Sequence, residues 1–231
     1  MRIFLSLLSI FAVATALGQP VDNEPANKEL WLTAKLYPTV SGNTIFWGRH
    51  EFYSTSTTRA TLSGGLELTK VIKNRWLIET GVILNDWGFE EVGENDAWPG
   101  INTHKEQLFY LTLPATAIYR LKRVYVGLGL NASYFLQRNH TKNGVRTTHK
   151  TPRAKTGAAS DYWLVGAHGK IGLNLRLSKR LGFRSELYGI YSHDKASDMS
   201  RYREFVKYGT HGLYSVGLGL GLDFKLNAAR S

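Results

Sequence analysis

The chain has 231 residues, 43% of them hydrophobic, a formal net charge of +11 and no cysteine, and its mean hydropathy is −0.23. That length carries one domain with its loops, and the hydropathy excludes a polytopic helical membrane protein while suiting strands whose alternate residues are polar. Without cysteine there is no disulfide framework, no thiol chemistry, no Cys-based zinc site and no lipid-anchored N-terminus.

At the start, Arg2 precedes the apolar run Ile3 to Leu17, which closes on Ala16-Leu17-Gly18. A basic beginning, a short apolar centre and small residues at the end predict a secretory signal over residues 1–18, cut after Gly18. The run is shorter than the ~20 apolar residues of a spanning helix. Residues 19–28, with Pro20 and Pro25, read as a short polar lead, and 29–231 as the folded domain. No later stretch is continuously apolar over that length, so any crossing of a membrane has to be built from strands. The positive charges sit at turns and in loops, which fits anionic lipid head groups as partners and not nucleic acid.

Eight strands are predicted: Leu30 to Val40, Ala60 to Ile72, Trp76 to Phe89, Glu106 to Leu121, Val124 to Gln137, Tyr162 to Leu177, Leu181 to Ser192 and His211 to Leu226. In the first, Leu30, Leu32, Ala34 and Leu36 oppose Thr33 and Lys35. In the second, Leu62, Leu66 and Leu68 oppose Ser63, Gly65 and Glu67. The third sets Trp76, Ile78, Val82 and Leu84 against Glu79, Gly81 and Asn85. The fourth resists this reading, because Phe109, Tyr110 and Leu111 run together and Pro114 interrupts; a lost ladder donor predicts a bulge or bend there. The fifth alternates from Val124 to Leu136 against Tyr125, Gly127, Gly129, Asn131 and Ser133. The sixth sets Trp163, Val165, Ala167, Ile171, Leu173 and Leu175 against His168, Lys170, Asn174 and Arg176, and the seventh Leu181, Phe183, Leu187 and Tyr191 against Arg184, Glu186 and Tyr188.

The last strand is the most regular. Tyr214, Val216, Leu218, Leu220, Leu222, Phe224 and Leu226 fall on one face; Ser215, Gly217, Gly219, Gly221, Asp223 and Lys225 fall on the other. A soluble sandwich would bury the bulky face and leave the glycines bare. A membrane barrel puts the bulky face in lipid and uses glycine to make room for long lumen side chains.

Connections alternate in length. Lys73-Asn74-Arg75, Lys122-Arg123 and Ser178-Lys179-Arg180 are tight turns, whereas Ser41 to Arg59, Glu90 to Lys105, Arg138 to Asp161 and His193 to Thr210 are long polar loops. An even strand number with short turns on one side and long loops on the other is the layout of an outer-membrane barrel. Aromatic residues fall near both ends, Trp76, Tyr119, Phe183 and Phe224 at the short turns and Phe109, Tyr134, Trp163, Tyr191 and Tyr214 at the long loops, as interfacial belts do. Trp31, Tyr37, Trp87 and Tyr125 have the inward parity instead.

An eight-stranded barrel is just wide enough inside for side chains to fill it. The inward charges are Lys35, Glu67, Glu79, His168, Lys170, Arg176, Arg184, Glu186, Asp223 and Lys225. Buried charges of both signs must pair, which predicts an interlocking plug; a conducting pore and a proton or ligand site around His168 and Glu186 are the other readings. Outside, Arg138, Lys142, Arg146, Lys150, Arg153 and Lys155 form a basic loop without acidic residues, and Glu90, Glu91, Glu94 and Asp96 lie in the preceding long loop. The basic loop either meets lipopolysaccharide phosphates or an acidic partner, or is neutralised by that neighbour. The one dense catalytic-looking set is Ser192-His193-Asp194, whose side chains alternate across a strand and so do not converge as a triad does. No cofactor, metal site or catalytic residue is predicted.

With the Tyr110-Leu111-Thr112-Leu113-Pro114 segment and the glycine-rich strands Val126 to Leu130 and Val216 to Leu222, the chain resembles the small outer-membrane β-barrel domain family of Bacteroidota, whose members are PorT-like. The resemblance covers Glu29 to Leu226 and implies an eight-stranded barrel placed by the barrel-insertion machinery, with no assigned enzymatic residue. The expectation is an all-β, eight-stranded antiparallel up-and-down transmembrane barrel of the bacterial outer membrane, serving a structural, adhesive or accessory role. A transport or secretion component, a lipid A-modifying enzyme and a soluble lipocalin-like barrel are the alternatives.

Overall fold

Side-chain alternation becomes a two-sided wall. In the computed structural model, which describes residues 29–47, 54–73, 75–95, 98–142, 144–150, 162–193 and 209–226, the strands are β1 Leu30–Trp47, β2 Ser54–Lys73, β3 Trp76–Asn95, β4 Trp98–Leu121, β5 Val124–Lys142, β6 Val145–His149, β7 Trp163–Arg176, β8 Leu181–His193 and β9 Gly209–Lys225. The predicted signal (1–18) and polar lead (19–28) lie outside the described residues.

Every pairing is antiparallel, in the order β4-β3-β2-β1-β9-β8-β7-β5, and β4 pairs with β5 to close the ring. Among the described residues β6 pairs with β5 alone, so eight of the nine described strands form the wall. The last strand seals it: Leu32 faces Phe224 and Val40 faces Val216 across β1 and β9, which leaves no free edge in the bilayer.

Leu36, Leu62, Leu66, Val82, Leu128, Leu130, Val165, Ile171, Leu187, Val216, Leu220 and Phe224 point out and are exposed, Leu128 to 70%. In water such a belt would drive aggregation; here it is the lipid face of a transmembrane barrel. Leu173 shares the outward parity but is buried. From Val124 to Tyr134 on β5, ten steps of about 3.4 Å tilted by about 40° rise about 26 Å, close to the apolar band of such barrels.

Two expectations change. The strands run on into the predicted loops, β3 and β4 forming a ladder as far as Glu94 opposite Ile101 and β5 turning back through Gly144, at φ +81°, into β6. Above the bilayer no lipid imposes alternation, so these ladders carry polar residues on both faces. Secondly, Pro114 causes no bulge. Thr80 faces Ala115 and Ile83 faces Thr112 in one unbroken register, while the irregularity falls on β5, where Phe109 faces Gln137 but Tyr110 faces Phe135 and Leu136 is the extra residue.

The β2–β3 ladder is interrupted between Thr58 opposite Phe89 and Gly64 opposite Leu84. Small hydroxyls turned inward replace the missing backbone partners. Asp86 N donates to Ser63 Oγ at 3.0 Å, Gly88 N donates to Ser41 Oγ at 2.8 Å, and that hydroxyl donates to Gly88 O at 2.9 Å.

Candidate functional site

Seven inward residues at mid-height come from six of the wall's strands and meet at the axis. Lys35 (β1), Glu67 (β2), Glu79 (β3), Lys170 (β7), Arg184 and Glu186 (β8) and Asp223 (β9) are all buried. Lys170 and Lys35 pair with Glu79 and Glu67 respectively, and Lys35 Nζ also lies 3.1 Å from Glu186 Oε1 and 3.3 Å from Glu79 Oε1. Arg184 bridges Glu79 Oε2 at 2.5 Å and Asp223 Oδ2 at 2.7 Å.

Three cations against four carboxylates leave an excess of negative charge, and neutral donors absorb it. Thr33 Oγ1 donates to Asp223 at 2.7 Å, Thr69 Oγ1 to Glu79 at 2.8 Å, Asn174 Nδ2 to Asp223 at 3.0 Å and Tyr37 OH to Glu67 at 3.3 Å; Tyr125 OH donates to Glu186. Charged groups removed from water need this level of satisfaction to persist. The glycines of β9 make the space. A Cβ on Gly219 would stand 2.6 Å from Glu186 Cγ and one on Gly221 3.0 Å from Lys35 Cγ, whereas one on Gly217 would strike Pro38 O at 2.2 Å.

The other predicted lumen charges stand apart. His168 packs beside this layer, its Nε2 at 2.8 Å from Thr116 Oγ1. Arg176 and Lys225 lie at the short-turn rim around Glu29, whose Oε1 accepts from Lys225 Nζ at 2.5 Å and Arg176 at 3.4 Å. Trp31 closes the lumen at this end. Its Nε1 donates to Glu29 Oε2 at 3.3 Å, and Arg176 and Lys225 each approach its ring to 5.8 Å. Burial would raise the Glu29 carboxyl, but the Lys225 bond, the Trp31 bond and the charges of Lys225 and Arg176 outweigh it and hold the group below its usual 4.5. Above this rim, Val71, Leu77, Ile118 and Tyr125 form a small apolar floor.

Towards the long loops the lumen is filled by a layer that charge-based reasoning missed. Trp87, Phe89, Leu108, Tyr110, Phe135, Leu164, Tyr188, Ile190 and Leu213 pack with Tyr37 into one buried cluster. Tyr110 stands 5.0 Å from Trp87 and edge-on to Phe135 at 5.5 Å, separations at which aromatic pairs attract. The inward parity of Trp87 and Tyr37 was the visible signal.

Above Phe89 opens a mouth with a cavity of about 360 Å³, walled by Arg59, Lys105 and Arg146 as cations, Glu90 as carboxylate, and Gln107 and Asn139. Lys105 pairs with Glu90 at 3.2 Å, across the hairpin's own ladder. Glu106 draws in Arg138 at 3.8 Å and His140 at 3.0 Å. Thus the first residues of the basic loop are neutralised by β4, while Arg146 and Lys150 are exposed beyond them. The side chain of Lys142, and Arg153 and Lys155, lie outside the described part, as do Asp96 and the side chains of Glu91 and Glu94. Ser192 is turned into the lumen, where it accepts from Asn131 Nδ2 at 2.9 Å; Asp194 lies outside the described residues.

No protein-family model and no curated protein matches the sequence. Among solved structures the chain is similar to the outer membrane protein OprG from Pseudomonas aeruginosa, at 12% identity over 90% of this chain and 100% of that one with a TM-score of 0.45. It is similar also to AlkL in DMPC bilayers (14% identity, 93% and 98% covered, TM-score 0.47) and to Neisserial surface protein A (10% identity, 85% and 97% covered, TM-score 0.42). These likenesses concern the barrel alone; the closed ring of strand pairings defines the fold of this chain.

Proposed function

We propose that the protein is an integral outer-membrane barrel of the PorT-like Bacteroidota kind, a closed scaffold whose work is done at its external end in a structural, adhesive or accessory role. One observation carries this reading: the lumen is occupied by side chains at every height, from Trp31 through the ion-pair layer to the Trp87 cluster, so what is left to meet other molecules is the mouth. The short turns then face the periplasm. The Tyr110 to Pro114 segment and the glycine-rich strands support the family reading, and the basic start, short apolar run and small closing residues of Met1 to Gly18 support export through a signal peptide.

At the mouth, Arg59, Lys105, Arg146 and Lys150 favour an anionic partner such as the phosphates of lipopolysaccharide. Barrel-insertion machinery is the partner during biogenesis. The mature chain is expected to need detergent for solubility, to migrate differently in boiled and unboiled denaturing gels, and to show no discrete conductance in planar bilayers. A monomer soluble without detergent would overturn the reading in favour of a lipocalin-like barrel.

A transport or secretion role has one observation in its favour, the interrupted β2–β3 ladder beside Trp87. Discrete channels from the purified wild-type protein would support it. The lipid A-modifying reading has less, since Ser192 faces the lumen; an unchanged lipid A profile in cells producing His193→Ala would remove it.

A further inference from the structure

The end of the barrel opposite the mouth carries a concentration of positive charge at its turns. Each of the three short turns contributes two cations: Lys73 and Arg75 between β2 and β3, Lys122 and Arg123 between β4 and β5, and Lys179 and Arg180 between β7 and β8. The turns are spread around the ring. Among the described residues, Glu29 is the one carboxylate at this end outside the lumen, and Lys225 and Arg176 already bind it.

What these cations adjoin decides their partner. Ile72 and Trp76 bracket the first pair, Leu121 and Val124 the second, and Leu177 follows directly into the third; all five are exposed to the lipid side, Trp76 to 51% and Leu177 to 59%. A cation one or two residues beyond a lipid-facing side chain sits within about 7 Å of the apolar boundary, which is the depth of phospholipid phosphates. Tyr119 marks the same level: it lies 5.0 Å from the Trp76 ring and accepts a bond from Arg75 at 3.4 Å, as interfacial aromatic residues do. A soluble acidic protein would need these charges to project into water; here they are held against the bilayer edge.

We propose that the three short turns form a collar that binds anionic phospholipids of the leaflet they face, through phosphates of the phosphatidylglycerol type. The inference rests on the outer-membrane reading above and adds a lipid class and a site to it. Cations near an anionic surface each contribute enough to enrich a charged lipid about fivefold over a zwitterionic one, and salt weakens that preference.

Trp76 reports on the collar directly. The full chain is refolded into phosphatidylcholine vesicles containing brominated phosphatidylglycerol or, in parallel, brominated phosphatidylcholine, and the Trp76 signal is taken as the difference between wild type and Trp76→Phe. The expected result is stronger quenching by the brominated anionic lipid, equivalent to about fivefold enrichment, lost in molar salt and lost when all six turn cations become Gln. Should the sixfold variant fail to give the heat-shifted band of a folded barrel, Lys73→Gln with Arg75→Gln, the pair nearest Trp76, carries the comparison. Equal quenching by the two lipids overturns the collar, and polyglutamate binding to the inserted protein under those conditions reassigns it to an acidic protein partner. Quenching by neither lipid overturns the membrane reading itself.

Discussion

Lys170 on β7 pairs with Glu79 on β3 across the lumen, with β4 and β5 between them on the wall. The contact ties opposite sides of the ring, and Arg184 repeats it from β8 to the second oxygen of the same carboxylate at 2.5 Å. Lys170→Met leaves two cations to face four carboxylates and is expected to cost roughly 3–5 kcal/mol. Glu79→Gln equalises the charges yet removes the shared partner of Lys35, Lys170 and Arg184. The double variant should therefore lose less than the sum of the two, because the orphaned groups disappear together. Urea unfolding in detergent, followed by tryptophan fluorescence, measures all three; strict additivity would show that the pair is not an energetic unit.

Glycines on the two faces of one hairpin should answer differently to the same change. A Cβ on Gly219 meets Glu186 Cγ at 2.6 Å and Tyr37 Cε1 at 2.8 Å, whereas one on outward-facing Gly189 meets only Val216 Cγ2, at 3.9 Å. Gly219→Val is expected to overpack the lumen and cost roughly 1–3 kcal/mol or more, with lipid contact unaltered. Gly189→Ala should be neutral or slightly stabilising, since alanine has less freedom to lose. Thermal loss of the heat-shifted gel band ranks the two, and equal effects would contradict the assignment of faces.

The contrast between those glycines was legible in the sequence because lipid and a polar lumen impose opposite chemistry on alternate residues. That held for β1, β5 and β9, where Lys35, Asn131 and Asp223 turn in and Leu36, Leu130 and Leu222 turn out. It failed for β4, where Leu108 and Tyr110 turn into the aromatic cluster while Phe109 and Leu111 face the other way. With both faces apolar the alternation carries no parity. The meeting of Lys170 with Glu79 was equally hidden, since parity says that a residue points inward but not at which height it finds a partner. The β5–β6 hairpin did have a signal, Asn143-Gly144, the dipeptide that most favours a tight hairpin turn; it was masked by the polar composition of Arg138 to Asp161.

The aromatic layer should act as the lumen's seal. Trp87 stands 5.0 Å from Tyr110 and Tyr110 stands 5.5 Å from Phe135, while Lys35, Lys170 and Arg184 below them pair with the carboxylates of Glu67, Glu79 and Asp223. The combined change Trp87→Ala, Tyr110→Ala and Phe135→Ala is expected to keep the heat-shifted band while admitting water to the ion-pair layer. Faster deuterium exchange at the β8 amides around Tyr188, relative to wild type, reads this out. Unchanged exchange in a folded variant would place the seal elsewhere, at Trp31 or in the ion-pair layer.

The short-turn rim supplies a pH test free of the lumen. The folded-state pKa of Glu29 lies below its usual 4.5, despite the burial that opposes ionisation, through Lys225, Trp31 and Arg176. A carboxylate with a depressed folded value contributes stability above its unfolded value and loses it as pH falls through the folded one. Wild type should therefore be more stable than Glu29→Gln at pH 6 to 7, and the difference should fade as pH falls below about 4.5. Because the group is partly solvated the effect is expected to be small and to shrink with salt. Thermal midpoints of both proteins in a non-ionic detergent, taken from pH 7 down to pH 3, decide it. A difference that persisted unchanged at pH 3 would mean that Glu29 acts through the packing of Trp31 and not through its charge.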